Sequence, residues 1–349
     1  MTITGTPDPV IRELGSGEEG LWDAFVDSQP EATFFHRAGW KRVLEEGLGH
    51  RTHFLLAERA GEVDGVLPLG RIRSRLFGDA LISLPFCVRA GVVGRSEETR
   101  SALEGAACEL AGDLGVDHLE LRQDVPRNPE WPAEQERYVN FRRVLDADPE
   151  TNFKAIPRKQ RAVVRKGMEA GLEGVLDDDL ERFFPLYAES VRNLGTPIFP
   201  RRYLEKLREV FGEDCEVLTV EHRGRPVSSV MTFYFRDEVL PYYGGGGPEA
   251  RHHKANDFMY WDLMRRATER GYGVFDFGRS KRDTGSYRFK KHWGFEPEPL
   301  AYEYHLVKAR EVPDVSPANP RYRMLVEGWK RLPLPVSRVL GPMIARNLG

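Results

Sequence analysis

The chain has little cysteine, no long apolar run and no spacing of metal ligands, and each absence removes a class of protein. Three cysteines among 349 residues, Cys87, Cys108 and Cys215, stand far apart. They form neither a disulfide framework nor a zinc pattern, and reduced, mostly buried thiols of a cytosolic protein are expected. No stretch approaches the roughly 18 consecutive apolar residues of a membrane-crossing helix. Residues 1–14 carry Asp8, Arg12 and Glu13 and no apolar centre, unlike a secretory signal. His50 with His53, and His252 with His253, each lack a third ligand, so no metal is expected. There is no Gly-x-Ser-x-Gly elbow, no Walker loop and no dinucleotide Gly-x-Gly-x-x-Gly. The formal charge is only −3. No global pull toward nucleic acid follows, and any attraction must come from local patches. With 40% hydrophobic and 30% charged residues, the composition is that of a soluble globular chain long enough for two domains.

The densest local signal is residues 275–295. An apolar strand (Val274, Phe275, Phe277) ends in Gly278. Six cations follow, Arg279, Lys281, Arg282, Arg288, Lys290 and Lys291, against the single acid Asp283. Tyr287, Phe289, Trp293 and Phe295 alternate with them. Cations anchored beside a strand end by aromatic rings suit a phosphate or pyrophosphate. A solvated basic loop over core aromatics is the alternative.

Two stretches share one order of elements. The first runs from His53: Phe54 to Glu58, a turn through Gly61, Val63 to Leu69, an apolar run Ala80 to Val88, a helix Glu97 to Leu114 stopped at Gly115, and a strand Asp117 to Leu121. The second runs from Glu216: Val217 to Glu221, a turn through Gly224, Val227 to Phe235, a strand Glu238 to Tyr243, a helix Asn256 to Arg270 stopped at Gly271, and a strand Gly273 to Phe277. Glu120 falls where Asp276 falls in the second copy. The fold expected is α/β (α+β), two tandem mixed sheets flanked by helices, with a ligand cleft where the halves meet. The expected division is 1–150, 151–310 and a tail 311–349. Gly244 to Gly247, after Tyr242 and Tyr243, read as backbone that a ligand approaches closely, or as a mobile loop.

Between the halves Lys154, Arg158, Lys159, Arg161, Arg165 and Lys166 occur with no acid among them. Pro157 suits a first helical turn. Arg158, Arg161 and Arg165, spaced i, i+3, i+7, share one helix face. That face is either solvated or turned to the same ligand as the 279–291 cluster. Helices are also expected over Leu180 to Val191, with Asp177 to Asp179 as its cap, and over Arg202 to Phe211. The tail holds Pro313, Pro317, Pro320, Pro333, Pro335 and Pro342, with a basic helix over Tyr322 to Arg331. Residues 332–349 mix Leu, Val, Ile and Met with Arg338 and Arg346, for packing on the tail's own domain or contact with an anionic membrane.

These residues carry a resemblance. Phe34-Phe35-His36-Arg37-Ala38-Gly39-Trp40-Lys41, the basic stretch Lys154 to Leu172, and Phe275-Asp276-Phe277-Gly278 with Arg288-Phe289-Lys290-Lys291-His292-Trp293-Gly294 are similar to segments of the Fem peptidyltransferases. Trp293 replaces a usual Phe. The resemblance spans roughly residues 20–305. It is nearest to the FemAB-like branch associated with exosortase/PEP-CTERM and exopolysaccharide loci, where Asp276-Phe-Gly-Arg-Ser-Lys281 and Leu332-Pro-Leu-Pro335 also look familiar. It implies tandem GNAT-like acyltransferase domains, the first degenerate and on the acceptor side, the second catalytic and on the donor side.

The implied activity is N-acyl or aminoacyl transfer onto an amine of a cell-envelope (peptidoglycan) or exopolysaccharide precursor, nucleotide- or lipid-linked. It is placed in the bacterial cytoplasm or against the inner membrane. The implied roles are Lys290 and Asp276 in catalysis, and Arg279, Lys281, Arg288, Lys291, Tyr243 and Gly245 toward a phosphate-bearing donor. Lys41, Trp40, Arg158, Arg161 and Arg165 fall on the acceptor. No bound cofactor is expected. The donor, aminoacyl-tRNA or acyl-CoA, stays open, because two features are missing, the coiled-coil arm of tRNA-binding Fem proteins and the pyrophosphate loop of ordinary acetyltransferases. Arg251 to Asn256 stand where that acyl-CoA loop would be. A non-catalytic polyanion-binding or scaffold protein of an envelope-polymer system is the alternative.

Overall fold

Two short turns organise the two halves alike. In the computed structural model, which describes residues 7–312 and 320–349, strands Arg51–Arg59 and Glu62–Ser74 pair antiparallel through Ala60 and Gly61, at φ 52° and 83°. Strands Cys215–His222 and Arg225–Phe235 do the same through Arg223 and Gly224, at φ 53° and 72°. A two-residue turn left-handed at both positions matches the twist of the strands it joins, which is why glycine takes one position in each.

In each half a third antiparallel strand follows (Gly78–Ser83; Glu238–Gly246), then a helix (Glu97–Leu114; Ala255–Glu269), then a strand parallel to the third (His118–Gln123; Val274–Asp276). The repeat expected from the sequence is present, as two mixed sheets flanked by helices. The helix stop at Gly115 is left-handed, and Ser96 caps the other end by accepting from the Thr99 N–H.

The strand after each repeat crosses to the other sheet. Tyr138–Val144 pairs antiparallel with Val274–Asp276, and Ala301–Leu306 with His118–Gln123. The compact units are therefore Met1–Gln135 with Leu300–Val315 and Asn347–Gly349, and Glu136–Pro299 with Ser316–Arg346. The division expected from the sequence stood at 150 and 310. Each parallel strand would otherwise present an open edge, and the exchanged strand covers it.

The first core sets Leu103, Ala107 and Ala111 of the Glu97–Leu114 helix on Leu55, Leu67, Leu81 and Leu119. The second sets Met259, Leu263 and Met264 of the Ala255–Glu269 helix on Leu218, Val230 and Tyr234. Alternation along Arg225–Phe235 sends Phe233 to the other face, where Phe211 meets it. That face is covered by helices Phe183–Leu194 and Arg201–Phe211. The acid run does not cap as expected. Asp177 ends the strand Leu172–Asp177 and binds Arg182 and the Thr219 hydroxyl, while only Asp179 accepts a local N–H, from Glu181. Of the tail, residues 313–319, with Pro313 and Pro317, lie outside the described residues, and helices Pro320–Lys330 and Leu334–Ala345 follow. No helix among the described residues is long and apolar enough to cross a membrane.

Candidate functional site

The strand Val274–Asp276 ends at a chain reversal that the sequence builds locally. Gly278 and Asp283 take positive φ, 71° and 61°. The Thr284 hydroxyl donates to the Lys281 carbonyl and accepts from the Tyr287 N–H, starting the helix Gly285–His292. The Asp276 carboxylate is buried. It accepts both Asn140 Nδ2 contacts (3.0 and 3.1 Å) and the Gly278 N–H (2.7 Å), so it orients the loop that follows it.

Lys290 lies in the last turn of that helix and points back under the loop. It is only 9% exposed, and its Nζ donates to the carbonyls of Gly278 (2.8 Å) and Arg279 (3.1 Å). The Phe141 ring centre is 5.6 Å away. Burial lowers its pKa from 10.5 to about 7; Asp276 opposes that fall and Arg279 adds to it. Two carbonyl acceptors match the two N–H groups of a neutral amine. Near pH 7 the group divides between an ammonium, which offsets negative charge, and an amine with a lone pair.

The reversal rests on an aromatic box of Tyr260, Phe277, Phe289 and Trp293. The Trp293 indole N–H donates to Asp257 at 3.3 Å, a bond that a Phe at this position could not make. Asp257 also receives Gln160 Nε2, from the basic helix Arg158–Glu169. Burial raises the Asp257 pKa. Pro157 touches the space at Gly294, where a Cβ would stand 3.0 Å from the Pro157 ring. One half-buried carboxylate thus ties the start of the basic helix to the end of the Lys290 helix.

On the basic helix Val164 and Gly167 face inward. Arg158 and Arg165 are exposed and Arg161 half-buried. Arg161 donates to the Lys154 carbonyl (3.0 Å), and Arg165 lies 5.4 Å from the Phe153 ring centre. The Arg279 guanidinium stacks 4.7 Å from the Tyr138 ring centre, and Arg288 turns back to the Asp283 carbonyl. Lys281 is half-buried beside Tyr138 in the strand ladder, and exposed Lys291 approaches Glu296 at 3.9 Å.

Four further expected site residues have partners within the protein. Tyr243 is buried among Tyr187, Phe199 and Tyr203, its hydroxyl 2.9 Å from that of Tyr203, and burial holds its pKa well above the phenol range. It is a core residue on the sheet face opposite the Ala255–Glu269 helix. Gly245 lies inside a strand, not a loop. A Cβ there would stand 2.7 Å from the Leu186 carbonyl and 2.8 Å from Tyr187 Cα, so the backbone it admits is the protein's own. Trp40 is fully buried, its indole N–H on the Phe34 carbonyl (3.1 Å). Lys41 is bound to Glu45 (2.6 Å) and the Thr52 hydroxyl (3.3 Å) within the first unit.

Asn140, Gln160 and Asp257 escaped the sequence. Asn140 has no local signal; it reaches Asp276 because its strand belongs to the second sheet. Two cavities lie elsewhere. One of about 220 Å³ lies between sheet and helix, lined by Leu176, Leu218, Thr232, Leu263, Arg266 and Arg270. One of about 300 Å³ in the first unit is lined by His36, Arg89, Arg100, Arg122 and Arg127 among others. His36 is buried there and held at about 4. Its Nδ1 takes the Thr33 N–H and its Nε2–H donates to the Gly91 carbonyl. Among the described residues no three His, Cys, Asp or Glu side chains gather as metal ligands.

Comparison with known proteins agrees with this architecture. Residues 154–291 match the family described as Acetyltransferase (GNAT) domain. No curated protein matches the sequence. Among solved structures, FemX is similar at TM-score 0.66 and 16% identity, covering 91% of this chain and 100% of its own. The C-terminal domain (DUF2156) of a putative lysylphosphatidylglycerol synthetase from Agrobacterium fabrum aligns at TM-score 0.55 and 14% identity, over 82% of this chain and 91% of that one. A tandem GNAT protein from the clavulanic acid biosynthesis pathway aligns at 0.52 and 13%, over 87% and 100%. The fold is that of two tandem GNAT-like domains. The Lys290 reversal and the basic helix both lie in the stretch that matches the GNAT acetyltransferase domain.

Proposed function

We propose that the chain is an N-acyltransferase of Fem type. It moves an acyl or aminoacyl group from a phosphate-bearing donor, an aminoacyl-tRNA or an acyl-CoA, onto an amine of a cell-envelope or exopolysaccharide precursor. A setting beside the exosortase-associated FemAB-like proteins fits the sequence resemblance. The observation that carries the reading is Lys290, buried, held by two carbonyls and poised near neutrality inside a GNAT-type domain.

The acceptor nitrogen attacks the donor's ester or thioester carbonyl. The carbonyl π electrons pass to oxygen, and Lys290 as ammonium offsets that charge. Collapse breaks the carbon–oxygen or carbon–sulfur bond and releases the alcohol or thiol. The attacking nitrogen loses one proton, which water relays to the departing oxygen or sulfur, so that the alcohol or thiol leaves neutral while Lys290 stays an ammonium. Arg279, Lys281, Arg288 and Lys291 favour donor phosphate, and Arg158, Arg161 and Arg165 the phosphate of a nucleotide- or lipid-linked acceptor. Asp276 holds the loop.

The test incubates the chain with acyl-CoAs, charged tRNAs and amine acceptors and follows transfer by mass spectrometry. Lys290→Met is expected to lower turnover on the order of 10²-fold while circular dichroism stays native. Unchanged turnover removes Lys290 from the reaction. The arginines of the basic helix, which meet no carboxylate among the described residues, favour one rival, a polyanion binder without catalysis. Salt-sensitive binding to any polyanion, with no transfer from any donor, would select it.

A further inference from the structure

The helix Leu334–Ala345 is packed inside out. Its buried side chains are small: Ser337, Gly341 and Ala345, at i, i+4 and i+8. Gly341 is required there, since a Cβ would stand 2.8 Å from Ile198 Cγ2 and 2.9 Å from the Ile198 nitrogen. The large apolar side chains Val336, Val339, Leu340 and Met343, at i, i+3, i+4 and i+7, face outward, Val339 and Met343 at 70% and 67% exposure. An amphipathic helix of a globular protein does the reverse. The neighbouring helix Pro320–Lys330 adds Met324 and Leu325, 82% and 66% exposed, while its Trp329 is buried. Both helices rest on Phe183–Leu194. Exposed apolar side chains in such a row mark an interaction surface.

The charges say which kind. From residue 324 to 349 the sequence holds Lys330, Arg331, Arg338 and Arg346 against one acid, Glu327, and that acid is bound to Lys330 at 2.7 Å. From Arg331 onward no acid occurs. An apolar row flanked by cations and free of carboxylates is complementary to lipid headgroups of negative charge above acyl chains. We propose that these two helices dock the protein on an anionic membrane surface. Val339, Leu340 and Met343 enter the headgroup–acyl boundary, and Arg331 and Arg346 meet the headgroups. Small residues turned inward leave the large ones for the lipid.

The test is co-sedimentation of the full chain with vesicles of phosphatidylglycerol and phosphatidylcholine in equal parts, and with phosphatidylcholine alone. Wild type is expected to sediment with the first and to stay in solution with the second. Val339→Asp and Met343→Asp lie on the exposed face, so the fold should hold, checked by circular dichroism. Each is expected to lower the partition coefficient roughly tenfold or more, as the loss of one buried large apolar side chain implies. Arg331→Gln is expected to lower it roughly fivefold, from about 1 kcal/mol per surface charge. Failure of wild type to bind at low salt overturns the proposal. So does equal binding by the Asp variants. Dimerisation of wild type in analytical ultracentrifugation, abolished by Val339→Asp, gives the face to a second copy and likewise overturns it.

Discussion

In the first repeat Arg89, Arg100, Arg122 and Arg127 meet the carboxylates of Asp124, Glu31, Glu120 and Glu104. In the second compact unit, outside the repeat itself, Arg158, Arg161 and Arg165 of the basic helix meet none among the described residues, and Lys290 meets two carbonyl oxygens instead. The two sheets share strand order, turn type and helix placement, and both pair most of their arginines with carboxylates, as Arg142 with Glu238 and Arg266 with Asp262 in the second, so the difference is confined to the basic helix and Lys290. Topology fixes where side chains emerge; the partners across the sheet fix whether their charge is spent. The arginines named in the first repeat are therefore read as structural, and the proposed function gives Arg158, Arg161 and Arg165 to a ligand.

The comparison can be broken most forcefully at Arg122. It is almost fully buried, with Nε on Glu120 (2.6 Å) and Nη1 on the Cys87 carbonyl (2.7 Å). Arg122→Ala leaves a buried carboxylate unpaired and should cost about 3–5 kcal/mol, read as a fall in Tm. A small fall would mean that the first repeat's cations are not structural.

Lys290 sharpens the contrast through pH. Its folded value of about 7 lies below the ordinary 10.5. The unfolded chain binds that proton more tightly. Below about pH 7 both states hold it, and the buried ammonium weighs against folding in full. The penalty fades as pH rises from 7 toward 10.5, so stability rises in that window. Urea unfolding across the window should show the rise in wild type and lack it in Lys290→Met. Parallel curves would show that burial does not depress this amine.

Asp276 and Glu120 occupy matching places, yet Asp276 is bound by Asn140 and a backbone N–H while Glu120 is bound by an arginine. Asp276→Asn sets two amides face to face and should cost about 1–3 kcal/mol in chemical denaturation. The smallest effect is expected from Arg158→Gln, Arg161→Gln and Arg165→Gln, each within about 0.5 kcal/mol in stability. Together they should weaken and flatten the salt dependence of binding to heparin or polyphosphate. A large stability loss would give those arginines the structural role of their counterparts in the first repeat.

Much of the frame was legible before any coordinates. Gly61 and Gly224 marked both hairpins, Gly115 the helix stop, and the 275–295 run the turn that carries Lys290. Strand Tyr138–Val144 was not legible, because Asn140, Arg142 and Arg143 blur its alternation and its partners come from the other end of the chain. The surroundings of Tyr243, Gly245 and Trp40 were not legible either, for one reason. An aromatic or glycine near a charged motif looks the same in sequence whether a ligand or the protein's own helix approaches it.

The sequence by itself determined the two repeats, their turns and the places where positive charge gathers, since turns and periodicity act over a few residues. The tertiary structure alone decided that Asn140 clasps Asp276 and that Asp257 joins two basic helices. It also decided that Lys290 turns inward to lose its ordinary pKa and that the last helix shows its apolar side outward. Those outcomes depend on which distant strand or helix removes water from each group, and solvation is a property of the packed neighbourhood.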